Sequence, residues 1–152
     1  MPKKTAPHQP DPYSTYNFYV EWDGMINAGF QECTGLNTSQ TPTEYREGTD
    51  PNTVRKLAGL ITYDNITLRR GTTNNKELWE WREKIMNEGD KDNRKSVSIV
   101  LMDHQAKEKI RWNLINCWPV TWSGAEMNAM SSDVALETLE FCHEGVTVDS
   151  WA

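Results

Sequence analysis

Three histidines, His8, His104 and His143, are the side chains best suited to acid–base chemistry near neutral pH. A catalytic triad is recognised by geometry rather than spacing, yet none of the three stands in a recognisable motif with Ser or Cys. His8 lies in a proline-rich stretch and His104 in the turn-like Asp103–Ala106 run. His143 sits beside Glu144 at the end of a strand-like run, and the pair reads as strand-terminal polar groups at an interface. Glu77, Glu80 and Glu83, or Glu137 and Glu140, resemble paired carboxylates only in spacing. General acid work needs one carboxyl with a raised pKa in a pocket, and no apolar sequence encloses these. Cys33, Cys117 and Cys142 are odd in number and far apart, with no zinc-type spacing. Each falls in an apolar segment, where a free thiol packs as a small hydrophobe, and synthesis in a reducing compartment follows. Gly48, Gly59 and Gly71 match neither GxxxxGK[ST] nor GxGxxG. The expectation is a protein with no catalytic, metal or cofactor residues.

The cations raise a different possibility. Arg46, Arg55, Lys56, Arg69 and Arg70 cluster in one third of the chain, but the formal net charge is −6. Phosphate affinity needs a net basic surface. We expect instead that cationic loop residues meet Glu137, Glu140 and Glu144 of a neighbouring copy, setting register more than affinity. Among seven tryptophans, Trp81, Trp112 and Trp118 fall on core parities, whereas Trp79 is off the helical face and is expected to pack on a neighbour.

The elements that must position these residues read mainly as strands. At 152 residues the chain suits one domain, expected over 13–152, after a basic, proline-rich flexible tail over 1–12. That tail has no apolar h-region and does not read as a secretory signal. No apolar run approaches the ~18 residues of a membrane span. Tyr16–Trp22 alternates with period two and Asp23-Gly24 follows as a hairpin turn, the chain returning through Ala28 to Thr34. Thr38–Tyr45 is a polar edge segment. Ile61–Arg70 reads as one strand interrupted at Asp64-Asn65. Leu78, Trp81 and Ile85 define one helix over about Asn75–Asn87, capped by Thr72 or Thr73, stopped by Gly89 and supported by a Glu80/Lys84 pair. Ser96–Met102 and Lys109–Trp118 are further strands, bending at Pro119. In Val134–Glu144 the apolar parity slips, predicting a bulge near Thr138. The sum is a small β-sandwich or barrel with one α-helix against an opening or face.

The long connection from about Arg46 to Ala58 stands out. Structureless loops beyond ~12–15 residues are uncommon in compact domains and usually functional. This one carries Val54 and Leu57 without an obvious partner in its own chain, and a monomer has little reason to carry it. We expect it to dock on another copy, with Arg46, Glu47, Val54, Arg55, Lys56, Leu57 and Leu60 at the contact.

Tyr45-Arg46-Glu47-Gly48, Val54–Leu60, Asn65–Gly71, Leu78–Arg82, Ser98–Leu101, Trp112–Val120 and Ala135–Gly145 occur in one order along the chain. Together they resemble the tube proteins of contractile phage tails and related contractile injection systems, collinearly from about Phe18 to Gly145. The resemblance implies a structural protein rather than an enzyme. It implies hexameric rings whose sheets join into one barrel, stacked as a hollow tube inside a contractile sheath. It further implies sheath, baseplate or spike and tube-terminating partners, and a DNA or protein cargo that passes without sequence-specific binding. Cytoplasmic synthesis and assembly, with no membrane insertion by this chain, are expected. So is a neutral to acidic lumen lined by the polar parity of the long strands. A type VI secretion ring protein holding effectors in its lumen is the alternative.

Overall fold

The alternation of apolar and polar residues becomes ten antiparallel strands and one helix in a computed structural model, which describes residues 11–23, 25–27, 29–48 and 52–151, with backbone alone for 25–27. The expectations for the N-terminal tail up to residue 10, for Gly24 and Ala28, and for loop residues 49–51 fall outside the described residues.

Phe18–Trp22 (β1) buries Val20 and Trp22 on one face, as its alternation requires, and turns directly into Met25–Asn27 (β2), with Trp22 opposite Met25. Asp23 takes φ +52°, the left-handed backbone of a two-residue hairpin turn. Tyr16 stays outside the strand. The expected single return strand is divided: Phe30–Thr34 (β3) leaves β2 and joins the other half of the molecule.

Among the described residues Thr38–Tyr45 (β4) and Arg55–Tyr63 (β5) pair only with each other, and Ile66–Gly71 (β6) follows. Two expectations are corrected here. The loop expected over 46–58 is shorter, because Arg55–Ala58 is hydrogen-bonded strand facing Tyr45, Glu44, Thr43 and Pro42. Ile61–Arg70 is not one strand, because its two parts belong to different sheets on either side of Asp64-Asn65. Exposed Thr and Lys hid the first pairing from a pattern based on burial.

Glu77–Glu88 (α1) buries Leu78, Trp81 and Ile85, the stripe expected from their spacing. Burying such a side chain is worth about 1.5–3 kcal/mol. No side chain caps position Lys76. Instead, Asn75 Oδ1 accepts from the Glu77 amide at 3.0 Å, and Thr73 Oγ1 serves the Asn75 amide at 3.2 Å. Gly89 ends the helix at φ +80°, its amide donating to the Ile85 carbonyl at 3.0 Å. The helical ion pair forms between Lys76 and Glu80 at 3.6 Å rather than between Glu80 and Lys84.

Lys95–Met102 (β7), Glu108–Ser123 (β8), Leu136–Cys142 (β9) and Gly145–Trp151 (β10) complete the body. The strands run β2-β1-β7-β8-β9-β6-β3, with β10 also on β8. β8 belongs to both layers: Ile110–Cys117 pairs with β7 and β10, Trp118–Ser123 with β9. It passes through Pro119 without stopping and shifts register between Pro119 and Thr121. The layers meet in one core that includes Val20, Val97, Ile99 and Leu114 from one side and Ile66, Leu68, Leu139 and Phe141 from the other. Trp22, Trp81, Phe30 and Phe141 pack at 6.0–6.3 Å between ring centroids beneath α1.

No bulge occurs at Thr138. β9 pairs with β6 without a break from Leu136↔Gly71 to Phe141↔Ile66. The inward parity is Glu137, Leu139, Phe141, so a buried carboxylate occupies a position the hydrophobic pattern reads as outward. Val134, which suggested the slip, is exposed and precedes the strand.

Candidate assembly surface

β3 leads into β4 and β5 leads into β6, so the four form one long hairpin whose base lies in the body and whose outer half projects as an arm. The joint is built by Gly35. It has φ +102°, and a Cβ there would sit 2.0 Å from the Asn65 carbonyl oxygen. Asn37 Nδ2 donates to Asp64 Oδ2 at 3.0 Å across the same joint. Within the arm, Gly59 approaches Thr41 so closely that a Cβ would meet its carbonyl oxygen at 2.3 Å. Gln40 Nε2 donates to the Gly59 carbonyl at 2.7 Å, and the Ser39 and Thr62 hydroxyls bond at 2.8 Å.

An isolated two-stranded ribbon is marginal in water, and this one has exposed residues throughout except Gly59 and Tyr63. Leu60 is 85% exposed, with Val54, Leu57 and Ile61 also open. Contiguous exposed apolar groups and free strand edges mark a surface made for another chain. Arg46, Glu47 and Val54 lie on the connection between β4 and β5, and Arg55, Lys56, Leu57 and Leu60 on β5. Tyr45 OH donates to Glu47 Oε1 at 2.8 Å, and that carboxylate holds the phenol above its ordinary pKa.

The acidic half of the expected contact is placed differently. Glu137 is 4% exposed and bound to Arg70 at 2.6 Å within the chain, so it is not open to a neighbour's arm. Arg70 is correspondingly a core residue of β6. Arg69 pairs with Glu32 at 3.1 Å. Glu140 accepts from Asn65 Nδ2 at 2.9 Å, close to the arm's root. Glu144 binds Arg94 and Asn116, and Arg94 also binds Asp90. Trp79 is partly exposed on α1 and packs edge-on against Trp122 at 4.9 Å.

Carboxylates on the body are held ionised by their donors. Arg94 lowers the pKa of Asp90 and Glu144, Arg111 lowers that of Glu108, and the Lys107 and Gln105 amides lower that of Asp103. Folded pKa values below the unfolded ones contribute stability that is present above the unfolded carboxylate range and lost as pH falls through the folded values. Thermal unfolding should therefore be flat from pH 7 to 5 and fall below about pH 4. A midpoint unchanged at pH 3 would contradict this.

Burial pushes the Cys33 and Cys117 thiols up to about 12, which suits packing and not nucleophilic work. His104 contacts the Tyr16 hydroxyl. His143 is buried, with Nδ1 3.2 Å from the Gly145 carbonyl and its ring 5.2 Å from that of Tyr63, rather than at an open interface. Among the described residues no three His, Cys, Asp or Glu side chains are grouped to hold a metal, and no helix is long and apolar enough to cross a membrane.

Ala125–Asp133, which the sequence reads as a polar, Met-containing loop after a break at Ser123-Gly124, is a connection without strand or helix, and the sequence reading gave it no contact. Met127, Met130 and Val134 are 89%, 95% and 73% exposed there. Three large apolar residues without periodicity in a polar stretch were the available signal.

The family model for the T4-like virus tail tube protein gp19 matches residues 14–147. The chain belongs to that tail tube family. This tube subunit is thus a structural component, mostly β with a single helix. A tube–sheath complex of the extracellular contractile injection system PVC, in the extended state, contains a chain 26% identical to it, covering 91% of this chain and 92% of the other, with TM-score 0.80. A chain in the tube-terminating cap of the anti-feeding prophage has the same fold, with 24% identity, 97% of both chains covered and TM-score 0.83. Hcp1 from Flavobacterium johnsoniae is more distant, at 14% identity, 89% and 96% coverage and TM-score 0.53. No curated protein matches by sequence.

Proposed function

We propose that this tube subunit closes into hexameric rings, that the rings stack as the inner conduit of a contractile injection particle or phage tail, and that each β4–β5 arm clasps a neighbouring copy. The observation that carries this is the arm itself: a ribbon that pairs with no further strand among the described residues and exposes Val54, Leu57, Leu60 and Ile61, in a member of the tail tube family. A head-to-tail contact whose rotation closes gives a ring, and strand edges paired between copies leave no open edge. Arg46, Arg55 and Lys56 on the arm face the acidic residues left accessible on the body, among them Glu140 and Glu144. Likeness to chains from a PVC tube–sheath complex and from its sheath/tube terminator supports sheath and terminator as partners. The fold shared with a chain of the anti-feeding prophage baseplate makes a baseplate contact part of the same proposal.

The polar outer parity of β6 and β9 carries Thr67, Arg69, Thr138 and Glu140, with Arg69 neutralised by Glu32. That face suits a neutral to acidic lumen through which DNA or protein cargo moves without capture. The role is mechanical, with no reaction assigned to any residue. The weaker Hcp likeness leaves the ring-only carrier as the rival, and it expects separable rings where this reading expects tubes.

Replacing residues 46–54 by Asn-Gly should leave the circular dichroism of the body intact and abolish rings in negative stain. Rings of normal diameter from that variant would refute the clasp. Reversing charge at Arg55 and Lys56 should cut tube growth at least ~10-fold, the change ~1.4 kcal/mol per contact produces. Tubes of unaltered yield would remove the charged contact.

A further inference from the structure

The 124–135 connection lies along the outer face of β3, β6 and β9, and a groove of about 730 Å³ runs between them. Gln31, Arg69 and Thr138 line it from the strands, Glu126, Asn128 and Asp133 from the connection. Arg69 is already paired with Glu32 at 3.1 Å. The Glu126 and Asp133 carboxylates form no ion pair among the described residues, so the groove carries two uncompensated negative charges. Met127 and Met130 stand beside these acids in the same turn, exposed, and exposed Val134 lines the groove itself.

The arm carries the matching set. β5 begins with Arg55 and Lys56 and has no acid along its length. Arg46 and Lys56 form no ion pair among the described residues; Glu44 stands opposite Lys56 in the ladder without bonding to it. Gly59 and Leu60 both face Thr41, a bulge that brings Leu60 onto the same face as Leu57. The ribbon therefore presents cations at its tip and two exposed leucines together behind them.

We propose that this groove receives β5 of a second copy's arm, with Arg46 and Lys56 approaching Glu126 and Asp133, and Leu57 and Leu60 covering Met127 and Met130. This rests on the reading that the arm clasps a neighbour, and names the body surface it clasps. Opposite charges left unpaired on the two surfaces select this partner and its register, and methionine adapts to an irregular apolar partner. The chain's own arm is directed elsewhere. Its tip is seven residues beyond Thr38, roughly 20–25 Å from the joint at the rise of a strand, whereas Gln31 and Arg69 lie on the body side of that joint. Glu140 and Glu144 are weaker attractors, because Asn65 already donates to the first and Arg94 and Asn116 to the second. The contact takes up only the Arg69–Thr138 end of the polar face, since Thr67 and Glu140 lie outside the groove.

The test assembles tubes from a mixture of two full-length variants, Leu60→Cys and Met130→Cys, and oxidises them. Mass spectrometry should find a disulfide between positions 60 and 130, intermolecular by construction. A mixture of Leu60→Cys with Trp151→Cys probes the rival surface, where Val148 and Trp151 are exposed beside Asp149 on β10. A link found only there overturns the proposal. In parallel, Arg46→Glu with Lys56→Glu should cut tube yield at least ~10-fold, and adding Glu126→Lys with Asp133→Lys should restore most of it. Wild-type tubes together with no link from position 60 to 130, or a charge swap that restores nothing, overturn the docking site and leave the tube reading standing. Wild-type protein that forms neither rings nor tubes overturns both.

Discussion

Glu137→Ala should lower stability by about 3–5 kcal/mol, the range for removing one partner of a buried ion pair. Domains are typically stable by only about 5–15 kcal/mol, so the thermal midpoint should drop by roughly 10 °C or more. The loss has a specific cause. Arg70 Nε donates to Glu137 Oε1 at 2.6 Å, Trp122 Nε1 donates to Oε2 at 3.2 Å, and Arg70 Nη2 donates to the Asn75 carbonyl at 3.1 Å. The Arg70 guanidinium also lies 5.7 Å from the Phe30 ring centroid. Deleting the carboxylate leaves a guanidinium 6% exposed and an indole N–H without an acceptor. The pair Arg70→Met with Glu137→Leu should recover most of the loss, because well-packed apolar residues replace a buried pair at little cost. A loss below ~1 kcal/mol for the single variant, measured by chemical denaturation, would show that the network contributes nothing net.

Gly35→Ala should be the most damaging change at the arm. A side chain at φ +102° is strained by about 1–2 kcal/mol, and its Cβ would be driven to within 2.0 Å of the Asn65 carbonyl oxygen in the connection between β5 and β6. Backbone cannot give way there without separating β3 from the Asn65 bend. We expect at least ~3 kcal/mol lost, together with loss of ring formation even at temperatures where the body stays folded. Gly29→Ala is the control: its φ is +96° but nothing lies within 4 Å of the added carbon. It should show strain alone and still assemble. Equal behaviour of the two variants would mean that the joint does not set the arm's direction.

Much of this architecture was legible in the residues because burial and periodicity agree in it. Leu78, Trp81 and Ile85 announced the helix, and Val20 and Trp22 announced β1, because one face of each is apolar and the other is not. The arm was legible as an anomaly: Val54 and Leu57 had no partner to infer. Its strand character from Arg55 onward was hidden, since both of its faces are exposed and no alternation is imposed on a ribbon without a core. Glu137 was misread for the converse reason. A carboxylate at an inward position breaks the parity that reveals a strand, and only Arg70, 67 residues away in sequence and adjacent in space, explains it. The cavity bordered by Leu36, Trp112, His143 and Val146 was illegible, because its lining comes from segments far apart in the sequence that meet only in the folded chain.

The 16-residue strand β8 runs without interruption through both layers. A push on one layer therefore reaches the other along covalent bonds, not only across packed side chains that can slide. Its passage from one layer to the other, with a register shift between Pro119 and Thr121, makes that strand a spine for the subunit. If the subunit is loaded along a tube, as proposed, such a spine lets shear be shared between its two layers, so that they deform as one body before either sheet peels away.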